Sequence, residues 1–123
     1  MTEEQQQHMV IVIDDDATIR LLIRKTLERR GFAVRVASNG EEGLSYLRTH
    51  RGVQLALIDQ FMPGLYGDQV AREIRSFAPE IKLVLCSGYP AEKLPTEHFD
   101  SVLTKPFRPK ALVEHISSML DVA

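Results

Sequence analysis

Cysteine occurs once in the 123 residues, at Cys86, so no disulfide can form within the chain. No apolar run approaches the roughly 20 residues that a membrane span requires, and no membrane contact is expected. The opening Met-Thr-Glu-Glu-Gln-Gln-Gln-His has no apolar core of the secretory kind, which together with the lone cysteine favours the cytoplasm. Basic residues are not in excess. With 15 Lys and Arg against 17 Asp and Glu, the net charge of −2 gives no electrostatic reason to bind nucleic acid, which usually calls for a clustered basic face. His8, His50, His98 and His115 are scattered without metal-ligand spacing, so surface positions are expected for them. Internal repeats and low-complexity linkers are absent. The length fits one domain and leaves no room for a second catalytic or DNA-binding one.

What is present is a series of short apolar runs, each ending in polar residues. Met9-Val-Ile-Val-Ile13 ends in Asp14-Asp15-Asp16, and Leu55-Ala-Leu-Ile58 ends in Asp59 before a turn at Pro63-Gly64. Ile81-Lys-Leu-Val-Leu-Cys86 ends at Ser87-Gly88, and Ser101-Val-Leu-Thr104 ends at Lys105-Pro106. Continuous β-branched runs of this length, without alternation, fit strands covered on both faces. Phe32 to Ala37 supplies the remaining strand.

Helical patterns separate the runs. Ile19, Leu22, Ile23, Thr26 and Leu27 recur at helical spacing, and Gly31 closes that helix, leaving Arg20, Arg24, Lys25 and Arg29 as a solvated face. Ser38 with Glu41, or Asn39 with Glu42, can cap a second helix that runs to about His50. A third begins near Gly67 with Val70, Ile74 and Phe77 inward. The last spans Phe107 to Leu120, with Leu112, Ile116, Met119 and Leu120 as its stripe. Between Tyr89 and Asp100, Pro90 and Pro95 limit any helix to a turn or two. Residues 1–8 are polar and aperiodic and are expected to be a mobile tail, leaving 9–121 as the domain. The expected fold is α/β: a doubly wound, flavodoxin-like parallel sheet of five strands in order 2-1-3-4-5, with right-handed crossovers and a shortened fourth helix.

Parallel strands present their polar ends together at the carboxyl edge of the sheet, where open α/β folds build their sites. Asp14, Asp15, Asp59, Ser87 and Lys105 would converge there. Two carboxylates ~4 Å apart repel by about 4 kcal/mol at an effective dielectric near 20, so the cluster calls for a cation. Oxygen ligands suit Mg2+ or Mn2+, commonly alongside a phosphate. Lys105 and Ser87 would then serve the phosphate, and Asp59 is a candidate nucleophile. Asp16 is expected to cap the first helix, although a third ligand role is open to it. Cys86 ends a buried strand without a His partner and reads as a small hydrophobe.

From Val10 to Leu120 the pattern resembles the receiver domain of two-component response regulators. The shared marks are the acid pair after the first strand, the Asp59 strand followed by Met62-Pro63-Gly64, Ser87 after the fourth strand, and Lys105-Pro106 after the fifth. The resemblance implies that Asp59 accepts a phosphoryl group from a phosphohistidine on a sensor histidine kinase or histidine phosphotransfer protein, in a signalling module that catalyses its own phosphorylation and dephosphorylation. It implies Mg2+ bound directly by Asp15, largely through water by Asp14, and with Asp59 and the backbone carbonyl of Phe61 as further ligands. It further implies that Ser87 and Lys105 contact the phosphoryl group, that Lys105-Pro106 is cis, and that a weak homodimer is open to the domain.

The pattern also departs from the family. An aromatic residue commonly lies three positions before the lysine, and Val102 stands there, with Tyr89 and Phe99 as nearby aromatics. Ser87 and Lys105 are closer in sequence than is usual. Phe99 to Phe107 resembles receivers joined to hybrid sensor kinases, so the contexts to consider are a stand-alone regulator and part of such a kinase. Two rival readings come from other classes. Asp14-x-Asp16-x-Thr18 fits the opening motif of haloacid dehalogenase-type phosphatases, with Asp14 as nucleophile, but the chain is short for that family and lacks its later acidic motif. The other rival is a pseudo-receiver that is never phosphorylated and acts only by binding.

Overall fold

The computed structural model describes residues 7–122. The elements alternate along the chain: β1 (Met9–Ile13), α1 (Ala17–Glu28), β2 (Ala33–Ala37), α2 (Gly40–Thr49), β3 (Val53–Asp59), α3 (Gly67–Phe77), β4 (Lys82–Ser87), a 3-10 turn (Ala91–Lys93), β5 (Ser101–Thr104) and α4 (Pro109–Met119). The strands form one parallel sheet in the order β2-β1-β3-β4-β5, as the sequence led us to expect.

Both faces of the sheet are covered, which explains the unbroken apolar runs. On one side Ile11, Ile13, Ala56, Ile58 and Leu83 meet Leu44 and Leu47 of α2 and Val70 and Ile74 of α3. On the other, Val10, Val12, Leu55, Leu57 and Val84 meet Ile23 and Leu27 of α1 and Leu112 and Ile116 of α4. Successive strand residues point to opposite faces, so each run fills two cores at once. No helix among the described residues is long and apolar enough to cross a membrane.

Caps set the helix starts where the polar residues allow. Asp16 accepts from the amides of Thr18 (2.9 Å) and Ile19 (3.3 Å), taking the cap role expected for it. For α2 the cap is Asn39, which accepts from Glu42 N–H at 2.8 Å, while the Glu42 carboxylate reaches back past the cap to the amide and hydroxyl of Ser38. The last helix starts two residues later than expected. Pro109 holds its first position, and a residue preceding proline is driven out of the helical region, so Arg108 is extended (φ −85°, ψ 151°).

Two placements on α1 differ from the amphipathic reading. Leu22 is 42% exposed and Leu21 more so, because α1 turns only Ile23 and Leu27 fully inward against the sheet. Arg20, read as solvated, is half-buried and donates to the backbone carbonyl of Asp14 at 2.7 Å. His115 is likewise not a simple surface residue, since its ring Nε2 lies 2.8 Å from Ser101 Oγ. Of the tail drawn over residues 1–8, the first six lie outside the described residues. His8 accepts from Ala33 N–H through its carbonyl (2.9 Å), and its ring Nδ1 lies 2.7 Å from Gln54 Oε1.

The fourth crossover contains no α-helix. After β4 the chain makes the 3-10 turn, closed by Lys93 N–H to Pro90 (2.9 Å) and Leu94 N–H to Ala91 (3.0 Å), and Pro95 then keeps Leu94 extended. Buried Leu94 and half-buried Phe99 give the segment its apolar anchors. Arg75 of α3 supplies the polar one: its guanidinium donates to the carbonyls of His98 (3.0 Å), Pro79 (3.2 Å) and Ile81 (3.1 Å) and to Asp100 Oδ2 (2.8 Å).

Candidate functional site

The strand register brings the polar ends together. Ile13 is level with Ile58, Asp59 with Cys86, and Ser87 with Thr104, so the residues that follow β1, end β3 and β4 and follow β5 gather at one edge. Asp14, Asp15 and Asp59 each place a carboxylate oxygen within 4.8 Å of the others. Asp14 is 2% exposed and Asp59 9%, while Asp15 faces solvent. Lys105 reaches in from the far side, its Nζ donating to Asp14 Oδ2 at 2.9 Å and to Asp59 Oδ1 at 3.4 Å.

Asp14 is held on several sides. Its Oδ1 accepts from Asp16 N–H (2.9 Å), its carbonyl accepts from Arg20, and its N–H donates to Ala37 (3.1 Å). Ser87 is 1% exposed, and its Oγ accepts from Tyr89 N–H at 3.3 Å. The Ser87 carbonyl accepts from Lys105 N–H at 2.8 Å, which ties the loops after β4 and β5 to each other. Lys105-Pro106 is cis, as the resemblance implied. Phe61 lies on the loop after β3 with its ring exposed, edge-on to Tyr66 (centroids 6.1 Å apart) and to Tyr89 (5.0 Å).

Burial raises the Asp59 carboxyl to about 6, with Lys105 pulling it down and the Asp14 and Asp15 carboxylates pushing it further up. Burial also works against the Lys105 ammonium, yet the Asp14 bond and the charges of Asp14 and Asp59 outweigh it, so its pKa lies above the ordinary lysine value. Three carboxylates against one contacting ammonium leave the cluster net negative. An all-oxygen, partly buried donor set of this kind fits a hard divalent cation. Cys86, beside Asp59 in the register, is 1% exposed, and burial pushes its thiol up to about 12, which leaves it no nucleophilic role.

Every side chain that the sequence nominated for the site is therefore at this edge. Sequence reasoning passed over Arg20, whose partner is a backbone carbonyl, and over Gln60, which is polar yet 3% exposed directly after Asp59. The signal for Gln60 was available: a polar residue continuing a buried strand needs a dedicated partner.

Comparisons with known proteins agree with this geometry. A family model described as "Response regulator receiver domain" matches residues 10–117. The chain is 32% identical over 114 residues to the sensor kinase CckA of Brucella abortus, covering 89% of this chain and 12% of that one. It is 33% identical over 111 residues to the transcriptional regulatory protein ResD of Bacillus subtilis, covering 88% and 46%. The chain thus spans less than half the length of either relative. Among solved structures, a CheY-like receiver domain protein from Methanospirillum hungatei superposes with a TM-score of 0.88 at 26% identity, over 94% of this chain and 95% of that one. The response regulator TrrA of Thermotoga maritima, solved with Mg2+ and beryllofluoride, gives 0.85 at 30% identity, over 92% and 99%. With its family model matched over most of its length, its five-stranded fold and its acidic edge, the chain belongs to the response regulator receiver domains of two-component systems.

Proposed function

We propose that the domain accepts a phosphoryl group on Asp59 from the phosphohistidine of a sensor histidine kinase or histidine phosphotransfer protein, and passes the change on to a protein partner. A carboxylate oxygen of Asp59 attacks phosphorus, the phosphorus–nitrogen bond breaks, and the imidazole leaves with the bonding pair; the product is an acyl phosphate. The observation that carries the reading is the placement of Asp59 at the mouth of the sheet edge, with Asp14 and Asp15 within 4.8 Å and the Lys105 ammonium 3.4 Å away.

Mg2+, or Mn2+ in its place, would be held by Asp14, Asp15, Asp59 and the Phe61 carbonyl, and when bound it neutralises charge on the transferred group. Lys105 is placed to pair with a phosphoryl oxygen once Asp59 carries one. Ser87 donates to the same group after turning its hydroxyl from the Tyr89 amide. Water attacking the acyl phosphate at phosphorus returns Asp59 and inorganic phosphate. This reading places the domain in the cytoplasm, where ATP charges the kinase, and leaves nucleic acid to other parts of any longer protein.

The phosphatase reading gives Asp14 the nucleophile's part and Asp16 a role beside it. Asp16 is instead engaged with the α1 amides, and Asp14 is nearly enclosed. Incubation with acetyl phosphate and Mg2+ separates the readings. The account expects covalent labelling that chelation abolishes and Asp59→Asn removes. Labelling that survives Asp59→Asn and disappears in Asp14→Asn would establish the phosphatase instead. A protein that a small donor and a panel of phosphorylated kinases all leave unlabelled would be a binding module alone.

A further inference from the structure

Gln60 is buried where the strand pattern calls for an apolar residue, and a buried amide left without partners is destabilising. Both ends of its amide are satisfied by one residue. Nε2 donates to Asp68 Oδ1 at 2.8 Å, and Oε1 accepts from Asp68 N–H at 3.0 Å. The Gln60 carbonyl also accepts from Gly67 N–H at 2.9 Å. Three hydrogen bonds therefore fasten the first turn of α3 to the residue that follows Asp59. Gly67 makes the approach possible, because a Cβ there would lie 2.5 Å from the Asp59 carbonyl oxygen and 2.9 Å from Gln60 Cα, both backbone atoms that cannot yield.

The helix does not depend on this pairing to start. The Gln69 side chain already accepts from Tyr66 N–H at 2.8 Å, and Val70 N–H donates to Tyr66 at 3.1 Å. The loop from Phe61 to Tyr66 is closed at its base by the Gln60 contacts with Gly67 and Asp68. On the far side of Gln60 stands Asp59, the residue proposed to bind the cation and take the phosphoryl group.

We propose that Gln60 and Asp68 are positioning residues: a buried reciprocal clamp that fixes the backbone from Asp59 to Phe61, and with it the two oxygen donors this stretch offers to a divalent cation. The inference rests on the function proposed above and adds the part of α3 in it. Fixed donors bind a cation without first being ordered, and loss of a hydrogen bond that orients a ligand costs about 10–100-fold in metal affinity. The plainer role for Asp68 is as an acid in the first turn of α3, favoured there by the helix dipole.

Three variants of the 123-residue chain distinguish these roles. Asp68→Asn loses the charge but keeps an oxygen that accepts from Gln60. Asp68→Ala loses both, and Gln60→Met keeps the volume without the bonds. Mg2+ titrated calorimetrically should bind at least tenfold more weakly to Asp68→Ala and Gln60→Met and within about twofold of wild type to Asp68→Asn. In amide exchange followed by NMR, the amides at positions 67 and 68 should lose protection in Asp68→Ala and Gln60→Met and keep it in Asp68→Asn. Equal weakening in Asp68→Asn and Asp68→Ala would overturn the clamp in favour of the dipole. Unchanged Mg2+ affinity in Asp68→Ala would overturn it outright, and that comparison decides the matter even where Gln60→Met does not fold. Wild-type protein that neither binds Mg2+ nor takes a phosphoryl group would contradict the proposed function itself, with the clamp's role falling alongside it.

Discussion

Asp59 is a carboxyl that folding makes harder to ionise, and the sign of its effect on stability follows. Its folded value of about 6 lies above the ordinary 3.8, so below 3.8 both states hold the proton and the group is neutral to stability. As pH rises from there to about 6 the unfolded chain releases the proton first, stability falls, and the full penalty remains at higher pH. The displacement corresponds to at most about 3 kcal/mol, which water at the open mouth cuts to about 1–2. Asp59→Asn without divalent cations should therefore raise Tm by on the order of 5 °C at pH 8 and by little at pH 4, as read by circular dichroism. A gain independent of pH would contradict the assignment. Residues of this kind were legible because each terminates an apolar run: Asp14, Asp59, Ser87 and Lys105 all stand where a buried strand meets water. Arg20 and Asp68 were not, because their partners are fixed by the packing of α1 and α3 and not by any local pattern; the pattern marked Gln60 as needing a partner without saying which.

At the scale of elements, the segment 89–100 carries the largest departure from the plan of alternating strands and helices. Pro90 and Pro95 led to the expectation of a shortened helix, and the segment holds only the 3-10 turn Ala91–Lys93. What holds the segment in place did not announce itself, because the Arg75–Asp100 pair joins residues 25 apart and depends on where β4 begins. Asp100 is locked further by accepting from Leu83 N–H at 2.8 Å, while its own amide donates to the Leu83 carbonyl, also at 2.8 Å. Burial acts to raise the Asp100 carboxyl, yet the Leu83 bond and Arg75 outweigh it and hold its pKa below the usual carboxylate range. The stability it contributes is therefore present above the ordinary pKa and is lost as pH falls through the lower folded value. Arg75→Met should cost about 2 kcal/mol near neutral pH. In hydrogen exchange, the amides of Leu83, Phe99 and Asp100 should lose protection while Val10 to Ile13 keep theirs; uniform loss across the sheet would show that Arg75 supports the whole fold and not this segment.

For the molecule as a whole, the question is how a charge added at Asp59 changes a surface that a partner can read. On the proposed function Ser87 and Lys105 would move toward it, and because the Lys105 amide is bonded to the Ser87 carbonyl the two loops would move together. Val102, half-buried on β5 opposite Leu85, has no ring to rotate into the space this opens. Phe99 is packed against the α2–α3 core, and Tyr89 is exposed against Phe61. A swing from 1:99 to 99:1 needs about 5.5 kcal/mol, and one hydroxyl bond with one lysine contact contributes only part of it. The account therefore predicts a graded shift. NMR with Mg2+, before and after beryllofluoride, should show changes concentrated in Ser87 to Asp100 and Val102 to Phe107; changes confined to the Asp14, Asp15 and Asp59 loops would point to an output through α1.

The loop response expected here assumes that the phosphoryl group forms on Asp59, and that is open to direct measurement. Borohydride reduces an aspartyl phosphate to homoserine, so protein treated with acetyl phosphate and Mg2+, trapped and digested, reports the acceptor by mass spectrometry. The account predicts homoserine at position 59 and at no other aspartate, with none formed when Mg2+ is chelated. Homoserine at position 14, or trapping at 59 that proceeds equally well without a divalent cation, would contradict it.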